Sequence, residues 1–310
     1  ITNEDREQLS KYTGWGGLSN IFSSHSGYNN NRTELFRHLQ TGEYDELKRS
    51  VLTAFYTPPS ITKAMWSAIE HFGFDGGKIL DPSTGTGQYL GCAPNNIAQS
   101  SSFIGKEIEP VSANIAQYIY GKDCIHNEPY EKAKLPHNYF DLAISNIPFG
   151  DIKVFDSEYK KHNFRIHDYF FSKSLDKVKP GGVVAFITTT GTLDRKDPTV
   201  RQHLYEQADL VGAIRLPRKT FKDYAGTDVS ADMIFLQKRM PGQQPKEDNW
   251  LWSINHEFKA LGHQSDFEEL SINRYFLDKP EMVIGEMLAV NGRHGPELVT
   301  SYNGDKYGTE

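Results

Sequence analysis

Cysteine is nearly missing from this chain, with only Cys92 and Cys124 among 310 residues. The two stand far apart, outside any CxxC pattern and without clustered histidines. Neither a disulfide framework nor a zinc site is expected, and both read as small buried apolar side chains. Long apolar runs are missing as well: nothing approaches the roughly 20 residues of a membrane span. The opening stretch ITNEDREQLS is polar, without the apolar segment of a secretory signal, so a cytoplasmic protein is expected. The third absence is an excess of positive charge. The formal net charge is −6, and residues 241–310, with six Lys/Arg against twelve Asp/Glu, account for all of it. A protein that grips nucleic acid unaided usually carries a basic footprint, so strong autonomous DNA affinity is not expected, while a local basic groove in the neutral remainder is compatible with the count.

What remains is ordinary for a globular enzyme: 37 % hydrophobic and 24 % charged residues, enough for one large α/β core with appendages. The first residue is Ile and the last stretch, SYNGDKYGTE, has no helical or strand period, which suggests a piece of a longer polypeptide. Between residues 78 and 239, seven short β-rich runs alternate with helical stretches: KILD, FIGKEIE, CIHN, DLAIS, VVAFITTT, LVGAIRLP and DMIFLQKR. Such alternation predicts a doubly wound, mostly parallel sheet. PVSANIAQYIYG carries an apolar stripe at Val111, Ile115, Ala116 and Ile119 closed by Gly121, and HDYFFSKSLDKVKPGG ends in lysines and a Pro-Gly-Gly stop.

Three regions follow. Residues 1–54 read as a mainly helical cap, with the GWGG run and a Gly/Asn/Ser-rich loop near 23–32; residues 55–240 are the catalytic core. Residues 240–250, MPGQQPKEDNW, read as a linker, and residues 241–310 form an acidic extension containing one helix from FEEL onward and a weakly ordered end.

KILDPSTGTGQYLG sits where the first strand turns into its helix. Gly85 and Gly87 let the backbone pass close to a ligand, and the helix start offers unpaired N–H groups. The GxGxxG spacing of dinucleotide sites is absent and the strand ends in Asp81, which suits a cationic ligand better than a pyrophosphate. Glu107, ending the second strand about 20 residues later, holds the position where an acid typically binds ribose hydroxyls. After the third strand comes NEPYE, where Asn127 or Glu131 reaches for an adenine amine. The fourth strand runs into NIPF, residues 146–149. Alone, Asn-x-Pro is an ordinary turn; on the strand tip beside DPSTGTG and KEIE it falls at the carboxyl edge of the sheet, where ligands bind in open α/β folds.

FYTPP (55–59), LDPSTGTG, Glu107 and NIPF occur in the order found in the γ class of S-adenosylmethionine-dependent amino-methyltransferases, which this chain resembles. It is most similar to the large phage- and plasmid-borne methyltransferase–helicase proteins, and more distantly to the modification subunits of type I restriction systems. That resemblance runs nearly the whole length, through GWGGL, AFYTPP, NIPFG, IHDYFFSKSL, KPGGVVAFITTTGTLD, GAIRLPRKTF, AGTDVSADMIFLQKR and NRYFLDKPEMVIG. It implies a Rossmann-like class I methyltransferase fold whose seven-stranded sheet has an antiparallel last strand, S-adenosylmethionine as cofactor, no metal, and adenine N6 in DNA as acceptor. It also implies roles. Tyr56, Thr57 and Pro58 lie by the methionine portion of the cofactor; Asp81, Ser83, Gly85 and Gly87 lie by its amino group and ribose, with Glu107 and Asn127 completing the set. In Asn146, Ile147, Pro148 and Phe149, the Asn146 side-chain oxygen and the Ile147 carbonyl accept the hydrogens of the target amine, while Phe149 stacks on a base flipped from the duplex. Ile147 departs from the family's usual proline, which implies a less rigid backbone there.

Two basic stretches are candidate nucleic-acid contacts. One is DIKVFDSEYKKHNFRIHDYFF, with Lys160, Lys161 and Arg165 among Tyr159 and Phe164; the other is RLPRKTFK, with Arg215, Arg218 and Lys219. Each also reads as an ordinary exposed loop. Asp168, early in the following helix, reads as a cap. Transfer to a protein glutamine amide, and a module that binds without turnover, are the rival readings. About 70 acidic residues after the core are poor material for a DNA reader, so specificity is expected to be loose or to lie elsewhere, in a helicase or reading domain of the same polypeptide or complex.

Overall fold

The computed structural model describes residues 2–12, 14, 19–22, 26–39, 44, 48, 56–148, 150, 152–222, 228–261, 266–292 and 295–302. Trp15–Gly17 of the GWGG run, Phe55, Phe149 and residues 303–310 lie outside them.

Seven strands form the central sheet: β1 Lys78–Asp81, β2 Ser102–Glu107, β3 Ile125–Asn127, β4 Phe140–Asn146, β5 Val178–Thr189, β6 Ala208–Leu216 and β7 Ala231–Lys238. Their spatial order is β3-β2-β1-β4-β5-β7-β6, with β7 antiparallel to both neighbours and the other pairings parallel. This is the seven-stranded, mostly parallel architecture that the seven β-rich runs imply. Alternating residues divide the core between the two faces. Ile79, Leu142, Ile144, Ala185, Ile187, Met233 and Phe235 pack on one side, with Met65, Trp66 and Ile69 of the helix Pro59–His71. Leu80, Ala143, Val184, Phe186, Ile234 and Leu236 point to the other, against Phe170, Phe171 and Leu175 of the helix Ile166–Lys177. Both faces are covered, so the strands read as continuous apolar runs in sequence.

Around the sheet, α1 (Asn3–Ser10), α2 (Ser19–Phe22) and α3 (Asn29–His38) precede α4 (Pro59–His71), α5 (Gln88–Gly91), α6 (Asn95–Gln99), α7 (Pro110–Tyr120), α8 (Ile166–Lys177), α9 (Gly191–Asp194) and α10 (Thr199–Tyr205). The loop expected near 23–32 is shorter than its composition implies, because the chain is helical from Asn29. Arg32 Nε donates to the Ile21 carbonyl at 2.9 Å, and Leu35 packs on Phe22, so tertiary contacts override the low helix propensity of three successive asparagines.

FEEL is not helical. Phe267–Asn273 is strand β9, paired antiparallel with β8 (Ser253–Lys259), and β10 (Glu286–Gly292) pairs with β11 (Gly295–Ser301) where a weakly ordered end was expected. The Glu and Leu residues favour helix locally, but Leu270 and Ile272 alternate at period two and pack onto the core through the hairpin. Phe258, Ile272, Tyr275, Phe276 and Ala289 belong to the same cluster as Phe171 and Phe186, so this part continues the main core. Arg215 fastens the junction. Only 1 % exposed, it donates to Asp232 Oδ1 and Oδ2 at 2.9 Å each and pairs with Asp194 at 2.8 Å, while Asp194 Oδ1 accepts from the Asn273 N–H at 2.9 Å. The Phe276 ring, in α11 (Arg274–Asp278), lies 4.2 Å from the guanidinium. Arg215 is therefore a structural pin rather than a nucleic-acid contact.

Removing one partner of a buried pair strands the other's charge. Asp232→Ala is expected to lower unfolding free energy by about 3–5 kcal/mol in urea titrations. Asp278→Ala, which breaks the exposed pair with Arg274, should stay within about 0.5 kcal/mol of the unaltered chain.

Candidate active site

Strand β1 lies between β2 and β4, so the order of connection reverses beside it and the tips of these three strands open on one crevice. A cavity of about 300 Å³ occupies that crevice. Its floor is the turn after β1, where Ser83, Thr84 and Gly85 line the wall. Gly85 has φ +56°, in the left-handed region that suits glycine, and a Cβ there would lie 3.3 Å from the Tyr56 ring. Gly87, at φ +88°, lies outside the lining; a Cβ there would run into the Tyr120 ring, so packing of α7 requires this glycine.

Glu107 lines the cavity and clamps the turn. Its Oε2 accepts from the Gly85 N–H at 2.7 Å and its Oε1 from the Glu109 N–H at 2.8 Å. Each carboxylate oxygen keeps a further lone pair for a ligand hydroxyl. Glu109 caps α7 through the N–H groups of Val111 and Ser112, and the Ser112 hydroxyl lies 2.5 Å from that of Tyr56. Tyr56 and Thr57 thus reach the cavity from a segment 50 residues before the second strand tip, anchored by one hydroxyl pair. Pro58 is the N-cap of α4 and stands behind them.

Asp81 is buried behind Ser83 rather than in the wall: Oδ1 accepts from the Ser145 hydroxyl at 2.7 Å and the Ser83 N–H at 3.2 Å, while Oδ2 is buried without a hydrogen-bond partner. Burial pushes both Asp81 and Glu107 up to about 7 from the ordinary carboxylate range, against the opposing pull of the hydrogen bonds each accepts.

Of Asn127 and Glu131, only Glu131 lines the cavity. Pro129, Tyr130 and Glu131 line the cavity, whereas Asn127 is exposed and its amide donates to the carbonyls of Glu107 and Ile108 at 2.8 and 3.3 Å, bracing β2. Ile108, Phe155, Ile166 and Phe170 add apolar walls that sequence reasoning missed; only the helical stripe of IHDYFF hinted at the last two.

Asn146 and Pro148 line the cavity beside the glycine turn. Ile147 faces the core, 1 % exposed, and its N–H donates to the Ile187 carbonyl at 3.2 Å, extending the β4–β5 ladder by one bond. Proline has no such donor. The departure at this position therefore exchanges a ring constraint for a ladder bond, and the backbone is held here as well.

The expected nucleic-acid residues lie outside the cavity lining. Lys160, Lys161 and Arg165 are exposed, but their aromatic neighbours Tyr159 and Phe164 are buried in the core, Tyr159 donating to Asp176 at 2.6 Å, so neither offers a stacking face. Arg218 pairs with Asp228, and Lys219 is half-buried. Asp168 is no cap: Arg165 holds the N-cap position of α8, and Asp168 Oδ2 accepts from Arg195 at 3.0 Å inside the core.

The seven-stranded, mostly parallel sheet with helices on both faces is the Rossmann-like class I methyltransferase fold, and the glycine turn, the second-strand acid and the tip of β4 open on one crevice of it. The chain belongs to the N-6 DNA Methylase family, which matches residues 42–278. It is 28 % identical over 244 residues to the defense against restriction protein B of Escherichia phage P1, covering 77 % of this chain and 9 % of that protein. It is 24 % identical over 267 residues to the type I restriction enzyme EcoEI methylase subunit of Escherichia coli, covering 72 % of this chain and 50 % of the subunit. This chain therefore spans half or less of the length of these relatives. The crystal structure of the type I restriction-modification system methyltransferase subunit from Streptococcus thermophilus superposes with a TM-score of 0.52 at 21 % identity, over 74 % of this chain and 53 % of that one. Family and fold imply S-adenosylmethionine as cofactor. The site fits it: the Glu107 carboxyl in the wall suits a ribose, Asp81 keeps an unpartnered buried oxygen behind Ser83, and apolar walls suit a purine ring.

A carboxyl raised on folding stabilises the fold fully below its unfolded value near 4, and that contribution is lost as pH rises through about 7. Without cofactor, the urea midpoint should therefore fall between pH 5 and 8. Glu107→Gln should flatten part of that fall, on the order of 3 kcal/mol for one group.

Proposed function

We propose that this chain transfers a methyl group from S-adenosylmethionine to the N6 amine of adenine in DNA, as the catalytic module of a larger cytoplasmic polypeptide or complex. The observation that carries this reading is the convergence of the Asn146–Pro148 tip with the Gly85–Glu107 clamp on one cavity. Bound at the clamp, the cofactor supplies an electrophilic methyl on sulfonium. The rest falls to side chains of this protein. The adenine amine is a poor nucleophile because its lone pair is delocalised into the ring. Asn146 Oδ1 and the Ile147 carbonyl each accept one amine hydrogen, which favours a tetrahedral nitrogen with its lone pair aimed at the methyl. Ile147 keeps its carbonyl in register through the bond from its own N–H to Ile187. Pro148 limits the Ile147 backbone that orients that carbonyl, since the residue before a proline is largely confined to extended conformations. Glu107 fixes the turn, and Asp81 ties Ser83 of the cavity wall to the buried Ser145 of β4.

The acceptor base must leave the duplex, at a cost of about a few kcal/mol. A helicase or DNA-reading domain in the same polypeptide or complex would supply strand access and sequence choice. Among the described residues no helix is long and apolar enough to cross a membrane.

The test is transfer of labelled methyl from S-adenosylmethionine to unmethylated duplex DNA, with a glutamine-bearing protein acceptor in parallel. The expected product is N6-methyladenine, with Asn146→Ala lowering kcat by about 10²–10³-fold, the usual consequence of removing one preorganised polar group from a transition state. Label in the protein acceptor alone would overturn the reading.

A further inference from the structure

Phe155 is 81 % exposed, more than any other large hydrophobic side chain among the described residues, yet it lines the same cavity as Asn146 and Pro148. Its exposure does not come from a slack loop. On one side the Ile152 carbonyl accepts the Ile166 N–H at 2.9 Å, and Lys153 bridges Arg165 in antiparallel fashion. On the other, Asp156 is held by three donors: the Tyr169 hydroxyl at 2.7 Å, Lys173 Nζ at 3.0 Å and the Glu158 N–H at 3.0 Å. Lys173 is 2 % exposed and also donates to the Tyr130 carbonyl at 2.8 Å, which joins the loop after β4 to the cavity wall after β3. The ring is thus presented to solvent by a fixed frame, and a fixed exposed aromatic beside a cavity is a face for a planar group.

Charge indicates which planar group. Residues 152–165 carry Lys153, Lys160, Lys161 and Arg165 against Asp156 and Glu158, and Lys173 neutralises Asp156. The ring therefore stands on a net basic loop, whereas at the cofactor end of the cavity Glu107 and Glu109 outnumber Lys106, whose charge is met by Glu128. A base carried on a polyanionic strand fits the first end, and a cationic cofactor the second.

We propose that Phe155 is a substrate-binding residue, an aromatic surface on which the acceptor base of the nucleic acid stacks in addition to the face that the motif resemblance gives to Phe149, held open by the Asp156–Lys173 frame. The proposal rests on the reading that the chain methylates DNA. Its test compares the full chain with Phe155→Ala, Phe155→Leu and Phe155→Tyr in steady-state methyl transfer to unmethylated duplex DNA, alongside S-adenosylmethionine affinity by calorimetry and the thermal midpoint. Phe155→Ala should lower kcat/KM for DNA on the order of ten- to a hundredfold, with cofactor affinity within about twofold and the midpoint unchanged. Tyrosine should restore the rate and leucine should not, because stacking needs a π-face rather than apolar volume. An unchanged kcat/KM, full rescue by leucine, or an equal loss of cofactor affinity, which would mean that the ring covers the cofactor, each overturns the proposal while leaving DNA methylation intact. Absence of label in DNA with the unaltered chain would overturn both.

Discussion

The pairing of β1 with β2 on one edge and with β4 on the other is the constraint from which the site follows. Four residues long, β1 is nearly all buried, and its register sets Asp81 against Gly105 of β2 and Leu80 against Ala143 of β4. Because the chain reverses its direction of winding at this strand, no crossover helix covers the crevice at its carboxyl end. The turn after β1, the acid ending β2 and the Asn-Ile-Pro ending β4 are then neighbours, although more than 60 residues separate the first from the last. Each needs the other two. Glu107 ties the first two through the Gly85 N–H, and Asp81 ties the first and third through Ser83 and Ser145.

Those two acids show how a fold prepares a site for charge. Both are held by hydrogen bonds, which favour the ionised form, and both are buried deeply enough that desolvation wins, bringing them to about 7. A ligand with an ammonium group and vicinal hydroxyls would supply what burial removes. Lys173 is the complementary case: burial pulls it down from the usual lysine range while Asp156 opposes the shift, and two of its donors go to the two loops that contribute to the cavity wall, the third to Tyr169 on its own helix. Rigidity near the site rests on such buried polar links as much as on the apolar core.

Much of this was legible beforehand. The seven β-rich runs are the seven strands, because a sheet covered on both faces leaves an unbroken apolar signature at each. α7 was readable from its apolar spacing and its closing Gly121, which sits at φ +100°, although Val111 of the expected stripe is exposed and Ser112 and Ala113 are buried with Ile115 and Ala116. The hairpins after residue 252 were not, since FEEL has good helix formers and its pairing with SINHEFK depends on a turn and a docking surface far away in sequence. Lysine and aromatic spacing misled in the loop before α8: Tyr159 and Phe164 alternate with basic residues yet face the core, while Phe155, isolated in sequence, is the ring that stays open.

The sequence alone determined the sheet, the motif order and the residue types at the three strand tips, because these depend on local periodicity and on chemistry confined to a few adjacent residues. Tertiary structure decided which of those residues reach the cavity. It set Glu131 at the wall and Asn127 behind it, turned Ile147 into the core with a ladder bond in place of a proline ring, and gave Gly87 to the packing of Tyr120. It also made Arg215 a buried pin between two aspartates where basic character alone suggested a surface contact. The reason is the same each time: side-chain direction and burial are set by partners distant in the chain, and residue type does not encode them.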